Sequence, residues 1–242
     1  MSAEREASKQ PTERREDGLH EILRSSSRLM ADVGFHGTSM RALSKATGRS
    51  LSGLYYYFES KEDLLYLVNF HGFTTLNDTW ERMSAAFETP EQRLYGFVYL
   101  HTHYYVANMD EMRVMNWGTQ ELERERAATI RVLKDRHTAD ARSIVKAVYK
   151  SATGRSIGAR RLSRLTYLLF GMMNWIFGWY TSAEHGSVDE LIRDIYRTFM
   201  HGIGNGEAGG RIDTIERVVR KAFREHSASS LWETATPTTP GR

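Results

Sequence analysis

The residues best equipped for chemistry crowd into one short stretch of this 242-residue chain, between positions 38 and 61. Thr38, Ser39, Ser50 and Ser52 bring hydroxyls, Arg41, Arg49 and Lys61 bring cations, and Tyr55 and Tyr56 bring large amphipathic rings. Met40, Leu51 and Gly53 fill the places between them. Hydroxyls and unpaired backbone amides at helix starts, with cations beside them, suit phosphate oxygens. Leu51 can meet a thymine methyl and Ser52 a base edge. The chemistry implied is binding of a phosphate-bearing partner without catalysis.

Other chemistries lack their residues. The chain has no cysteine, which removes disulfides, zinc-thiolate and iron-sulfur sites and thiol nucleophiles. His101 and His103 are two apart, so on a helix they point in different directions and cannot ligate a metal as an i, i+4 pair does. No nucleophile elbow, phosphate loop, His-Glu-x-x-His or paired-carboxylate motif occurs, so no enzyme, cofactor or metal is expected. Net charge is +3, from 33 Lys and Arg against 30 Asp and Glu, so affinity for nucleic acid must come from where the charge sits. Between Gly18 and Phe58 the cations Arg24, Arg28, Arg41, Lys45 and Arg49 outnumber Glu21 and Asp32. The N-terminus is charged from its fourth residue and has no apolar h-region, so the reading is cytoplasmic.

The elements that must hold these residues are helices. Apolar residues recur at spacings of three and four, strand alternation is absent, and the four prolines leave two long stretches without a breaker. Leu19, Ile22, Leu23, Ser26, Met30 and Val33 share one stripe of a first helix, which Gly34 ends. Thr38 or Ser39 caps a short second helix, Gly48 turns the chain, and Ser50 caps a third from Leu51 to Phe58. This is the layout of a helix-turn-helix. Ser60 and Asp63 form a capping box for a fourth helix running towards Phe87, and Pro90 opens the next, to about Asn108. A charged helical stretch follows from Asp110 to Lys150, then a break from Thr153 to Gly158. The uncharged segment Leu165 to Ala183 reads as one apolar helix, and Val188 to Ile203 as the last core helix. Gly202, Gly204, Gly206, Gly209 and Gly210 read as a hinge, since no strand precedes them. A further amphipathic helix spans Arg211 to His226, and the end from Ser227 reads as disordered.

The stretch Gly34 to Leu65, GFHGTSMRALSKATGRSLSGLYYYFESKEDLL, resembles the DNA-binding domain of the TetR family of transcriptional regulators. The resemblance rests on Gly34-Phe35, Thr38-Ser39, Ala46 and Gly48, Ser50, Leu54-Tyr55-Tyr56 with Phe58, and Lys61. It covers Asp17 to Phe70 by motif and implies a three-helix DNA-binding domain over 17–64 and a helical ligand-binding and dimerisation domain over 65–205; in this all-α chain a disordered arm over 1–16 precedes them and a hinge, helix and tail over 206–242 lie past the usual end of such a domain. Thr38, Ser39, Met40, Arg41, Arg49, Ser50, Leu51, Ser52, Gly53, Tyr55, Tyr56 and Lys61 are then its DNA contacts. Three departures stand out. Leu51-Ser52-Gly53 replaces a more polar triplet, Tyr57 stands where histidine is common, and Arg49 where an apolar residue is common.

The apolar segment Leu165 to Ala183 is long enough to tempt a membrane reading, but Thr166, Asn174, Thr181 and Ser182 interrupt it and the expectation is no membrane. Gly171 and Gly178 are seven apart on nearly one face and would let a second helix approach. With Trp179 and the stripe Leu191, Ile195 and Phe199 they are the expected homodimer interface, two helices from each copy, as in TetR-like proteins. The resemblance also implies a repressor released by a small-molecule effector, with Trp80, His103, Tyr104, Trp117, Met172 and Trp175 as candidate lining. The run Leu168 to Trp175 followed by Trp179-Tyr180 looks like the penultimate helix of TetR-like regulators of lipid catabolism, some of which sense acyl-CoA thioesters. Arg160, Arg161 and Arg164 would then meet the coenzyme's phosphates; read as composition alone they are a solvated basic cluster, the commoner case. The alternative function is a dimeric small-molecule or protein-binding module without operator binding.

Overall fold

The computed structural model describes residues 11–117, 119–203 and 212–226, and all regular structure among them is helical. The chain forms two compact units, Met1–Gly72 with Asp110–Ile130, and Phe73–Met109 with the chain from Arg131 onward. The reading that the glycine run is a hinge, and that the chain is disordered from Ser227, falls largely outside the described residues.

In the smaller unit, helix α1 (Pro11–Gly37) starts ahead of the boundary expected at position 17. It buries Ile22, Leu23, Ser26, Ser27 and Met30, and its regular course breaks at Gly34, where φ is 77°. Helix α2 (Met40–Thr47) is capped by Ser39, whose Oγ accepts from the Ala42 amide, and closes on Gly48 in the left-handed conformation. Helix α3 (Leu51–Tyr55) starts at Ser50, whose Oγ accepts from the Gly53 amide at 3.1 Å. It is a turn shorter than expected. Leu43, Leu54 and Phe58 are the buried anchors of these short helices. Helix α4 (Lys61–Ser84) opens with the expected capping box: the Asp63 amide donates to Ser60 Oγ at 3.1 Å, and the Ser60 amide to Asp63 Oδ2 at 3.2 Å.

The stretch Asp110–Ile130, expected in the larger domain, belongs instead to the smaller unit. Polar pairs accompany this placement. Arg28 pairs with Asp110 at 3.5 Å, His36 with Glu121 at 3.2 Å, and Arg126 with Asp63. This stretch is also not one helix with its neighbours. It divides into α6 (Met109–Trp117) and the start of α7 (Arg124–Thr153).

The larger unit is built around α5 (Pro90–Ala107), which is buried without interruption from Leu94 to Thr102. Thr89 and Gln92 cap it reciprocally, with Pro90 in the first turn. A helix apolar all round needs cover on every side. Helix α8 (Ala159–Asn174), α10 (Val188–Ile203) and α11 (Ile212–His226) all pack on it. The apolar segment 165–183 is not one helix. It ends as α-helix at Asn174, tightens into a 3₁₀ turn over Trp175–Gly178, and leaves helical geometry at Trp179 before a single turn, α9 (Ser182–His185). No helix among the described residues is long and apolar enough to cross a membrane.

Candidate nucleic-acid interface

Helices α2 and α3 leave their outer faces to solvent. Ser39, Arg41, Ser50, Leu51, Ser52, Tyr55 and Tyr56 are exposed, Met40 and Gly53 half-buried. Leu51 is 37% exposed, Tyr55 52% and Tyr56 62%, while Leu54 between them is fully buried. Leu54 therefore holds the helix to the unit and turns its neighbours outward. Ser50 and Ser52 hydroxyls lie 3.0 Å apart, which ties the Ser52 side chain to the helix start. Tyr56 meets Tyr57 edge to face at 5.1 Å, so its ring is braced from behind.

Three of the expected contacts are otherwise engaged. Thr38 is 2% exposed and its hydroxyl donates to the Gly34 carbonyl at 2.8 Å, so it pins the turn rather than facing a ligand. Arg49 is tied back to α1: it pairs with Glu21 at 3.3 Å, and its guanidinium lies 5.9 Å from the centre of the Tyr57 ring. Here the two departures at Arg49 and Tyr57 explain each other, since the Tyr57 hydroxyl reaches Gly18, where an added Cβ would sit 2.7 Å from it. Lys61 donates to the Phe35 carbonyl at 3.1 Å and stands over the Phe35 ring at 4.4 Å, closing the end of α1. A phosphate contact from Lys61 would cost these bonds. The exposed cations left on α2 are Arg41 and Lys45.

This capped pair of short helices with an exposed, tyrosine-flanked second helix matches known sequences. Residues 22–67 match the family described as bacterial regulatory proteins, tetR family, and residues 88–203 match the tetracyclin repressor-like C-terminal domain. The chain belongs to the TetR family of transcriptional regulators. A curated relative, the HTH-type transcriptional regulator HbdR of Aromatoleum sp. (strain CIB), is 23% identical over 164 residues, 68% of this chain and 69% of its own. Among solved structures, a TetR-family regulator from Bordetella parapertussis 12822 is similar with a TM-score of 0.69 and 23% identity, covering 75% of this chain and 93% of its own. AibR, in complex with isovaleryl coenzyme A and operator DNA, is similar with a TM-score of 0.61 and 20% identity, covering 75% and 97%.

In this TetR-family chain the candidate effector residues do not form one group. Trp80 is buried against Phe87 and Phe97, Tyr104 is buried, and Met172 is half-buried. His103 faces α10 and α11 instead, 3.3 Å from Asp189 and packed on Phe223. Trp117 ends α6 within the smaller unit, and its side chain lies outside the described residues. Trp175 is 66% exposed, so it lines no interior site of its own chain. Arg160 and Arg164 are exposed, whereas Arg161 donates to the Tyr149 hydroxyl at 3.0 Å.

The expected dimer face also changes. Ile195 and Phe199 are 6% and 5% exposed and Leu191 is half-buried, because α10 turns its apolar stripe onto α5. Gly171, Gly178 and Trp179 are exposed, and Tyr167, Leu168 and Trp175 join them. A cluster that went unread is His101, His137 and Asn174, hydrogen-bonded in a row inside the larger unit. His137 was legible: it falls on the stripe Ile130, Leu133, Ala141, Ile144 and Val148, where a buried polar side chain demands a partner.

Proposed function

We propose that this TetR-family protein binds a palindromic operator as a homodimer, represses from it in the cytoplasm, and is released by a small, largely apolar effector. The observation that carries the reading is the exposure of Leu51, Tyr55 and Tyr56 around a fully buried Leu54. Large side chains turned to solvent on a helix capped at Ser50 suit a groove. Ser52 and Leu51 would meet base edges, and Ser39, Arg41, Lys45, Tyr55 and Tyr56 the backbone. One such module reads few base pairs, and two on a two-fold axis read a palindrome, which is why a dimer belongs to the reading. The apolar face Tyr167, Leu168, Gly171, Trp175 and Trp179 supports it.

AibR, crystallised with isovaleryl coenzyme A, supports an acyl-CoA or similar lipid-like effector, with Arg160 and Arg164 free to meet phosphates. Helices α4 and α7 each contribute residues to both units. An effector that favours one arrangement of the larger unit would act on the DNA-reading helices through them, by differential affinity for two states. The test is anisotropy of labelled duplex DNA flanking the protein's own gene. Tight, salt-dependent binding is expected, weakened about tenfold or more by Tyr56→Ala or Ser52→Ala. No binding at low salt, or no effect of either substitution, would overturn the reading.

A further inference from the structure

The buried polar groups of the larger unit form a chain that stops short of a last partner. Asn174 Oδ1 accepts from His101 Nε2 at 2.8 Å. With that proton on Nε2 of a neutral ring, His101 Nδ1 is a lone pair, and it accepts from His137 Nε2 at 3.0 Å. Every proton of the row is then assigned, and His137 Nδ1 remains as an acceptor without a partner among the described residues, on a residue 3% exposed. Burial holds His101 down at about 4 and keeps His137 well below its ordinary value, so both rings are neutral at neutral pH. One turn back along α7, the Leu133 carbonyl accepts from Asn77 Nδ2 at 3.1 Å, and Asn77 Oδ1 is a second buried acceptor with no partner among the described residues.

An unpaired acceptor inside a protein is costly, so these atoms call for a donor. The rings nearest His137 supply none. Phe97 stacks on His137 at 4.7 Å and Phe170 lies 5.7 Å away. A water bonded to this nitrogen would lie against the Phe97 and Phe170 rings, which offer it no donor, where buried waters ordinarily make about three bonds. A donor carried on an apolar body satisfies the nitrogen and also places apolar surface against the rings.

We propose that His137 Nδ1, positioned by His101 and Asn174, is the polar anchor of a small-molecule site in the larger unit that selects an apolar or aromatic ligand carrying a hydroxyl or amide N–H. This rests on the reading above, in which the larger unit takes up an effector, and narrows it: an ester or thioester carbonyl alone offers no proton to this nitrogen.

The test compares phenol with toluene, equal in shape and different in the donor, on the full chain without DNA, by calorimetry and by ¹⁵N NMR of labelled histidine. Phenol should bind about tenfold or more tighter, and phenol alone should shift the unprotonated His137 nitrogen. In His137→Phe the preference should vanish while toluene binding persists; if that variant does not fold, the comparison on the parent protein decides. Equal binding of the two probes, binding of neither, or a His137 nitrogen that phenol leaves unmoved because a water already holds it would overturn the anchor. Phenol bound at His137 with operator affinity unchanged would support the anchor and count against effector-controlled release. Release of the operator by another small molecule, with no preference for phenol, would overturn the anchor and leave that reading standing.

Discussion

On the proposed homodimer, replacing Trp175 by alanine should leave a monomer that still folds. The indole is 66% exposed in the single chain. Taking ~250 Å² for a fully exposed tryptophan leaves roughly 160 Å² for a partner to cover, or ~4 kcal/mol at ~25 cal/mol per Å². Alanine keeps part of that contact and real interfaces cover it imperfectly, so ~3 kcal/mol per copy is the better figure, within the range of interfacial tryptophans. A two-fold interface counts the change twice, which gives ~6 kcal/mol and a dissociation constant raised roughly 10⁴-fold. The monomer itself should hold, because an exposed substitution ordinarily moves stability by about 0.5 kcal/mol or less. Sedimentation equilibrium over a wide concentration range reads the first effect and urea unfolding of the dilute, dissociated protein the second. A variant that dimerises within tenfold of the parent would show that this face is not the interface. One that unfolds at much lower urea as a monomer would show that Trp175 is a structural residue instead.

Other consequences are as specific. Glu216 is 7% exposed and accepts from Arg193 Nε and Nη2, each at 3.0 Å, and from Arg220 Nε at 2.7 Å. Glu216→Ala should loosen α11 by about 2 kcal/mol, less than a fully buried pair because both arginines are partly solvated; hydrogen exchange that stays as slow over 214–226 would contradict this. Gly96→Ala would place a Cβ 2.4 Å from the Phe87 ring, which Trp80 backs, whereas a Cβ at Gly171 meets nothing within 4 Å. The first should destabilise by about 1–3 kcal/mol despite the better helix former, and the second should be neutral or stabilise by up to about 1 kcal/mol, read as urea midpoints of the monomer. Acid should also weaken the fold early. His101 titrates at about 4 when folded against 6.5 ordinarily, so the unfolded chain takes up the proton first and stability falls as pH drops from 6.5 to 4, by up to about 3 kcal/mol. His137 adds in the same direction, while Glu216 and Asp189, held low by their partners, lose their contributions only below the ordinary carboxylate range. A flat stability profile between pH 7 and 4.5 would refute it.

What the amino-acid sequence discloses here is whatever is decided within a few residues. The caps at Ser39, Ser50 and Ser60-Asp63 and the turn at Gly48 are local hydrogen bonds or local sterics, and all are where their residue types put them. Helix α10 runs over the expected Val188–Ile203 for the same reason. Long-range partners are invisible to such signals. The helix through Leu165 stops at Asn174, whose side chain is taken by His101, 73 positions away in the chain. Periodicity marked Ile195 and Phe199 as an apolar stripe but could not say that α5 of the same chain would cover it. Lys61 and Arg49 looked like DNA contacts because their types and positions allow it, and only the neighbours Phe35, Glu21 and Tyr57 show where they spend their charge.

The correction at α10 bears on how the dimer and the operator would depend on each other. With that stripe closed inward, the apolar surface left for a second copy is centred on Tyr167, Leu168, Trp175 and Trp179, exposed by 62%, 60%, 66% and 41%. At ~200 Å² for each fully exposed large side chain, these supply roughly 460 Å² per protomer and ~900 Å² in all, short of the ~1,200–2,000 Å² of a standard stable interface. Rim contacts add to this, but the core of the contact is small, and the free dimer should be weak. A palindrome that holds two copies side by side raises their effective concentration to about millimolar. Operator binding would then be steeply cooperative in protein concentration, with half-occupancy at levels where the free chain is largely monomeric. A dimer that resists dilution to nanomolar concentrations without DNA would require a larger interface than these four side chains and two glycines provide.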